Sequence, residues 1–155
     1  MASATRQSAG ILLYRRTQGR LQVLLVHPGG PYWAKKDAGA WTIPKGEHAE
    51  DEEPEHAARR EFAEETGATL PNDALTDLGE IKQKSGKRVR AYAVQGDFDP
   101  KELVSNTFEL EWPPRSGRRV VVPEVDRAEW FDLDEAAERI LEAQRPLLER
   151  FQKTV

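Results

Sequence analysis

The chain contains no cysteine among its 155 residues. Disulfide frameworks, thiolate metal sites and thiol nucleophiles are therefore excluded, and the absence fits the cytoplasmic location that we expect. No apolar run approaches the roughly 20 residues that are needed to cross a bilayer. The start of the chain, MASATRQSAG, also lacks the basic and apolar regions of a signal peptide, so we expect neither secretion nor membrane insertion.

The length of the chain suits one well-buried core and is too short for two ordinary domains. We therefore expect a single domain over residues 1–155. Charged residues make up 32% of the chain and the formal net charge is -4, which indicates a charged globular surface without the basic excess of a nucleic-acid-binding protein. The sequence predicts no particular oligomeric state.

Short runs of branched aliphatic residues predict strands in five places: 8–16, 21–26, 75–83, 88–98 and 120–131. Residues 27–40 are rich in glycine and proline, which is typical of a loop, and long loops in compact domains are usually functional. Residues 100–119 show no clear period, and we interpret them as an ordered insertion or lid.

Two helices are predicted. The first covers residues 54–66, because Pro54 suits the first turn and Gly67 suits the stop. The second covers residues 133–151, with an interruption near Pro146.

The first of these helices carries three acids, Glu61, Glu64 and Glu65, at the spacing i, i+3, i+4. On a helix they share one face, where like charges repel by a few tenths of a kcal/mol per pair. Two of them also lie in the last turn, where the helix dipole disfavours anions. Because three crowded carboxylates become favourable around a divalent cation, we interpret this pattern as a metal site.

These acids belong to a longer run whose charged and glycine positions follow a fixed order: Gly46, Glu52, Arg60, Glu61, Glu64, Glu65 and Gly67. The run over residues 46–68 resembles the Nudix box, the signature of the Nudix hydrolase family. Phe62 and Ala68 depart mildly from it, since they stand where the family usually has aliphatic residues. The resemblance implies an α/β fold, a Nudix-type α/β/α sandwich with a central mixed sheet.

The resemblance also implies a chemistry, in which the glutamates bind Mg²⁺ or Mn²⁺, activate water and cut a diphosphate linkage. Mg²⁺ prefers hard oxygen ligands and retains several waters, so helix carboxylates together with substrate phosphates suit it better than histidines would. By the resemblance, Glu61 and Glu65 match the principal metal ligands, and Glu64 matches a further ligand and candidate base. Lys45 matches a position whose backbone carbonyl binds metal and whose side chain is a candidate phosphate contact.

Arg60 matches a structural arginine that pairs with Glu52 and orients the catalytic acids. The general base can lie outside the box in this family. Glu124 lies where some members place an additional acid, and Glu109 and Glu111 compete with it for this role. We prefer Glu124.

Basic and aromatic side chains outside the box are candidates for substrate binding. Lys35, Lys36, Arg88 and Arg90 suit phosphate contacts, against the alternative that they belong to solvated loops and turns. Aromatic rings suit stacking on a nucleobase, against the alternative of packing. Among the candidates Tyr32, Trp33, Tyr92, Phe108 and Trp112, we select Trp33 and Trp112 as substrate contacts.

The approach to the box, Pro44-Lys45-Gly46, resembles that of dinucleoside tetraphosphate hydrolases and of some nucleoside-triphosphate-cleaving relatives. The leading hypothesis is a Mg²⁺-dependent hydrolase that cleaves a dinucleoside polyphosphate or a nucleoside triphosphate. One alternative is another phosphoanhydride substrate, such as ADP-ribose or a diphosphoinositol phosphate. A second alternative is a nucleotide or RNA sensor without catalysis, although the acidic balance of the chain makes a nucleic-acid partner the weaker reading.

Overall fold

A computed structural model of the protein describes residues 7–155. Residues 1–6, on which part of the signal-peptide argument depends, lie outside the described residues. The chain forms eight strands within this range: β1 (Gln7–Thr17), β2 (Arg20–Pro28), β3 (Lys45–Glu47), β4 (Thr76–Lys82), β5 (Arg88–Gln95), β6 (Thr107–Glu111), β7 (Arg119–Pro123) and β8 (Val125–Asp132). Three α-helices accompany them: α1 (Pro54–Thr66), α2 (Leu133–Arg139) and α3 (Arg145–Gln152).

The main sheet has the strand order β4-β5-β1-β2-β8, with β3 pairing to β1. β1 and β5 run parallel, while the other pairs are antiparallel, so the sheet is mixed. Each face of this sheet carries an apolar cluster. Ala57, Ala58 and Phe62 of α1 pack on one face, and Leu147, Leu148 and Phe151 of α3 pack on the other. The predicted α/β/α sandwich with a central mixed sheet is confirmed.

β1 and β2 separate at one end of the sheet, and residues 42–47 fill the gap between them. Thr42 bridges to Val26 of β2, and the Ile11 amide of β1 donates to the Pro44 carbonyl at 3.0 Å. β3 then pairs with the beginning of β1. The start of the box is therefore part of the sheet, at the end where β1 begins and β2 finishes.

The strand predicted over 120–131 is broken at Glu124, which separates β7 from β8. The Glu124 amide donates to the Asn106 carbonyl at 2.9 Å, and its own carbonyl accepts from Gly29 at 3.0 Å. The bond to Asn106 leads away from the ladder between β2 and β8, whereas the bond from Gly29 lies at its end, next to the Pro28–Val125 pair. β7 pairs instead with β6, so the interval 100–119 contains most of an antiparallel hairpin that the sequence pattern did not reveal.

The helix predicted over 133–151 is divided earlier than Pro146. Ile140 is extended, and the Leu141 amide donates to the Trp41 carbonyl at 2.8 Å, so the chain leaves the helix to bond with the loop before β3. Pro146 lies in the first turn of α3, where its missing N–H is tolerated. None of the helices within residues 7–155 is long and apolar enough to cross a membrane.

Phe62 fixes α1 to the sheet, because its side chain is only 1% exposed at the centre of the cluster beneath the helix. We expect Phe62→Ala to lower the free energy of unfolding by about 3–5 kcal/mol through lost burial and the cavity left behind. Phe62→Leu retains most of the apolar volume and should lose less than half as much. Urea unfolding followed by circular dichroism measures both changes, and equal losses in the two variants would contradict volume filling as the cause.

Candidate active site

The C-terminal end of the acidic helix α1 is fixed by a glycine and by hydrogen bonds. Gly67 adopts φ +81°, which suits glycine, and its amide donates to the Ala63 carbonyl at 2.8 Å. Two carbonyls of the last turn are satisfied by a distant segment, since Val104 donates to Thr66 at 3.0 Å and Asn106 donates to Glu64 at 2.8 Å. The turn that carries two of the predicted metal ligands is therefore held from outside the helix.

The strand β3 and helix α1 touch through the box itself. A Cβ at Gly46 would overlap the carboxylate of Glu61, so any other residue there would displace this side chain. One residue earlier, the Lys45 amide donates to Oε1 of Glu65 at 3.2 Å. The local sequence thus brings the backbone of β3 against two glutamates of α1.

Arg60 connects the acids. Its Nε and Nη2 donate to the two oxygens of Glu52 at 2.9 and 2.8 Å, which is a bidentate pair. Its Nη1 donates to Glu61 at 2.8 Å and to Glu64 at 3.2 Å. One guanidinium group therefore neutralises part of the charge of three carboxylates and sets the orientation of two predicted ligands.

The hydrogen bonds from Arg60, helped by one from His56, lower the pKa of Glu52 from its ordinary 4.5 to about 2. Partial burial opposes this effect and is outweighed by the paired charges. Glu52 is therefore ionised throughout the neutral range and remains available to hold Arg60.

A cleft of about 760 Å³ lies beside this network. Its walls combine acids, two lysines and two residues of the segment after α1: Lys45, Gly46, Glu47, Glu61, Glu64, Glu65, Lys87, Asn106, Phe108 and Glu124. Burial raises the pKa of Glu65 to about 8, and burial also raises the pKa values of Glu61 and Glu124. Burial, followed by repulsion from Lys87, lowers the pKa of the Lys45 ammonium. Glu61, Glu65 and Glu124 are thus partly or largely shielded from water without full compensation by positive charge.

The donor set fits a hard divalent cation, because every acidic ligand offers oxygen and because added positive charge would relieve the buried carboxylates. Within residues 7–155, no group of three acidic or histidine side chains already converges closely enough to hold a metal ion.

Lys45, Glu61, Glu64, Glu65 and Glu124 are brought together in this cleft, as the sequence predicted for site residues. Their individual roles, including that of the Lys45 carbonyl, remain predictions. The sequence argument did not assign the other cleft residues, Glu47, Lys87, Asn106 and Phe108. Lys87 and Phe108 carried weak signals as a basic turn residue and a large aromatic ring, whereas Asn106 carried none.

Among the competing acids, Glu124 lies in the cleft and the other two are engaged elsewhere. Glu109 pairs with Arg119 at 3.9 Å. The Glu111 carboxylate accepts hydrogen bonds from the amides of Arg115 and Gly117 in the turn between β6 and β7. The geometry therefore supports Glu124 as the additional acid.

The other predicted substrate contacts lie outside the walls of the acidic cleft. Arg88 pairs with Glu80 at 3.1 Å, and Arg90 pairs with Asp77 at 3.6 Å, across the strands β4 and β5. Three more lie on loops or turns, where Lys35 and Lys36 are exposed and Trp112 is half-buried. A contact of these residues with substrate stays a prediction.

Trp33 lies in a second cleft of about 510 Å³. This cleft is bordered by the loop after β2, by the turn between β4 and β5, and by residues 141–143 and Arg145 before and within α3. The ammonium group of Lys36 lies 3.7 Å from the ring centre of Tyr32 and 5.2 Å from that of Trp33. The loop that carries Trp33 is thus stabilised by cation–π contacts.

The family model for the NUDIX domain matches residues 4–151. No curated protein matches the chain. Among solved structures, an Ap4A hydrolase from C. elegans in a binary complex is similar, with 22% sequence identity, a TM-score of 0.62 and coverage of 96% of each chain. At this identity the likeness shows the fold.

Two further structures have the same fold. The NUDIX domain of Shewanella oneidensis NrtR complexed with ADP ribose has 18% identity and a TM-score of 0.67, with coverage of 99% of this chain and 90% of that one. A mutT/nudix family protein from Listeria innocua has 18% identity and a TM-score of 0.63, with coverage of 99% and 95%.

The pairing of Glu52 with Arg60 predicts a dependence of stability on pH. Because the pKa of Glu52 is lower in the folded chain than in the unfolded one, the unfolded chain binds more protons between about pH 4.5 and 2. The stabilisation by Glu52 is therefore complete above this window and is lost as the pH falls through it. In urea unfolding, the stability difference between wild type and Glu52→Gln should shrink from pH 5 towards pH 2, and a constant difference would contradict the pairing.

Proposed function

Because the chain belongs to the Nudix family of pyrophosphohydrolases, we propose that it cleaves a diphosphate linkage in a nucleoside polyphosphate, with Mg²⁺ as the cofactor. The substrate is a dinucleoside polyphosphate or a nucleoside triphosphate. The main support for this function is that one cleft contains four acids: Glu61, Glu64, Glu65 and Glu124. Nudix hydrolases generally use divalent metals and act on nucleotide-type compounds, which agrees with these acids.

Glu61, Glu64 and Glu65, together with the Lys45 carbonyl, are the groups that would hold the cation. When bound, a divalent cation offsets phosphate charge and lowers the pKa of the attacking water. Mn²⁺ is chemically close enough to substitute, because it also accepts oxygen ligands.

Arg60 and Glu52 act on the orientation of the ligands. The bidentate pair with Glu52 fixes the plane of the guanidinium group, whose third nitrogen then bonds to Glu61 and Glu64. Fixed carboxylates lose less conformational freedom when substrate binds, so their orientation contributes to catalysis. Arg60 and Glu52 are positioning residues in this account.

Glu124 is the proposed proton acceptor for the attacking water. It reaches the cleft from the break between β7 and β8, whereas the box acids reach it from α1. Burial raises its pKa, which brings the carboxylate closer to the basicity that a general base requires near neutral pH. Glu64 is the alternative base.

Lys45 and Lys87 provide positive charge on the cleft walls, where they suit substrate phosphates. Glu47 contacts the ammonium of Lys87 at 3.1 Å and fixes its position. We assign the nucleobase to the second cleft, where Trp33 offers a ring face and the walls are mostly apolar. The turn between β4 and β5 borders both clefts, through Lys84 and Ser85 on one side and Lys87 on the other.

The Pro44-Lys45-Gly46 approach favours nucleoside polyphosphates, and the structural similarity to the C. elegans Ap4A hydrolase agrees with this substrate class. The similarity to the NrtR domain complexed with ADP ribose supports ADP-ribose as the second candidate. Both candidates contain a diphosphate linkage next to a nucleoside, so their hydrolysis can be compared in a single substrate panel. A sensor without catalysis would bind a nucleotide from this panel and cleave none.

The proposal predicts the effect of neutralising single ligands. Glu64→Gln and Glu65→Gln preserve side-chain shape but remove the charge, and each should lower Mg²⁺-dependent turnover by roughly 10²–10⁴-fold. The measurement is phosphate or pyrophosphate release on a panel of dinucleoside polyphosphates, nucleoside triphosphates and ADP-ribose, with products identified by mass.

Glu55→Gln is the matched control, since Glu55 is exposed in the first turn of the same helix. It should retain wild-type turnover. Turnover at the wild-type rate in both Glu64→Gln and Glu65→Gln would contradict the assignment of these glutamates as metal ligands. Nucleotide binding by the wild type without release of any product would favour the sensor.

A further inference from the structure

The strands β6 and β7 form a two-stranded hairpin separate from the main sheet, here called the arm (residues 107–123). Residues that are directly paired in such a hairpin share a face. Phe108 pairs with Val122 and Leu110 pairs with Val120, so these four side chains form the inner face. Val121 lies on the outer face and is 67% exposed. The arm therefore has one apolar face directed back to the protein.

Part of the inner face, at Leu110 and Val122, lies against the loop after β2. The position that a Cβ would take at Gly30 lies 3.6 Å from Val122 Cγ2 and 3.9 Å from Leu110 Cδ2. Phe108 differs from these residues, because it remains 37% exposed and forms part of the wall of the acidic cleft. The arm thus presents one aromatic ring to the space beside the proposed catalytic acids.

Ser105 and Asn106, which precede the arm, form its root. This root is bonded to the backbone of two of those acids. The Asn106 amide donates to the carbonyl of Glu64 at 2.8 Å, and the Asn106 carbonyl accepts from the amide of Glu124 at 2.9 Å. Val125 also donates to the hydroxyl of Ser105 at 3.1 Å. Because the root is attached on both sides, the place of Phe108 relative to Glu64 and Glu124 is set by the backbone.

The two clefts offer aromatic rings from opposite layers of the fold. The Trp33 cleft is bordered by residues 141–143 and Arg145 of the α3 layer, whereas the arm is rooted on the carboxyl end of α1. Lys45 and Lys87 lie in the acidic cleft. A substrate with two rings joined by a polyphosphate has a ring for each aromatic contact, whereas a mononucleotide has a ring for only one.

We propose that Phe108 stacks on the second nucleobase of a dinucleoside polyphosphate and so determines preference for substrates with two nucleosides. This inference rests on the proposed function, since it assumes phosphates in the acidic cleft and the first base beside Trp33. Stacking on an aromatic face tolerates any base, because every base has a π-face. Phe108 is therefore a specificity-determining residue that contacts substrate away from the bond that is cleaved.

The test compares two substrates with equal phosphate length, diadenosine tetraphosphate and adenosine tetraphosphate. Phe108→Ala should raise KM for the dinucleotide roughly tenfold through lost stacking. Its kcat for the dinucleotide should stay within about twofold, because the acids are unchanged. KM for adenosine tetraphosphate should not change. Phe108→Trp keeps a ring and should restore the dinucleotide KM.

Val121→Ala is the matched control, since it shortens an apolar side chain on the outer face of the same arm. It should leave both KM values unchanged. Trp33→Ala should raise KM for both substrates, because both place their first base there. No change in Phe108→Ala, or an equal rise with both substrates, would overturn the role of Phe108.

A wild type that hydrolyses neither substrate with Mg²⁺ contradicts cleavage of these two polyphosphates, but not the binding role of Phe108. Calorimetric affinities of the same two nucleotides for wild type and Phe108→Ala then decide the role of the arm. Weaker binding of the dinucleotide alone supports it, and equal affinities of the two proteins for both nucleotides overturn it.

Discussion

The contact of the Arg60 guanidinium group with three carboxylates is the interaction on which the rest of the cleft depends. The spacing of Glu61, Glu64 and Glu65 is unfavourable for an isolated helix, and their position near its carboxyl end makes it worse. Arg60 neutralises part of this charge, and Glu52 keeps Arg60 in place. Glu65 receives no hydrogen bond from Arg60 among the described contacts, and burial raises its pKa to about 8. The network therefore stabilises Glu61 and Glu64, whereas additional positive charge would stabilise the Glu65 carboxylate.

Backbone contacts around α1 place the other residues of the cleft next to these acids. Gly46 lets β3 approach Glu61, and the Lys45 amide bonds to Glu65. Asn106 joins the end of the helix to the break before β8, where Glu124 lies. Glu64 and Glu124, which are far apart in the sequence, are thus held in one cleft by main-chain hydrogen bonds.

The features that were predicted correctly depend on local backbone geometry. The helix over 54–66 was confirmed at both ends, because Pro54 and Gly67 mark its limits by backbone geometry. The arm was missed because its inner face contributes only two apolar residues per strand, and because its partner strand follows a turn containing two prolines. Which residues reach the cleft depends on tertiary contacts. Arg88 and Arg90 are engaged by acids of the neighbouring strand, a pairing that neither strand pattern reveals alone.

If the acidic face of α1 holds a divalent cation, Mg²⁺ should stabilise the folded protein through Glu65. This is measured by thermal unfolding of wild type and Glu65→Gln with increasing Mg²⁺ at constant ionic strength. Mg²⁺ should raise the wild-type midpoint by mass action and raise that of Glu65→Gln much less. Without the cation and above pH 8, Glu65→Gln should be at least as stable as wild type, because no buried charge remains at that position. An unchanged wild-type midpoint, or an equal rise in both proteins, would contradict the claim.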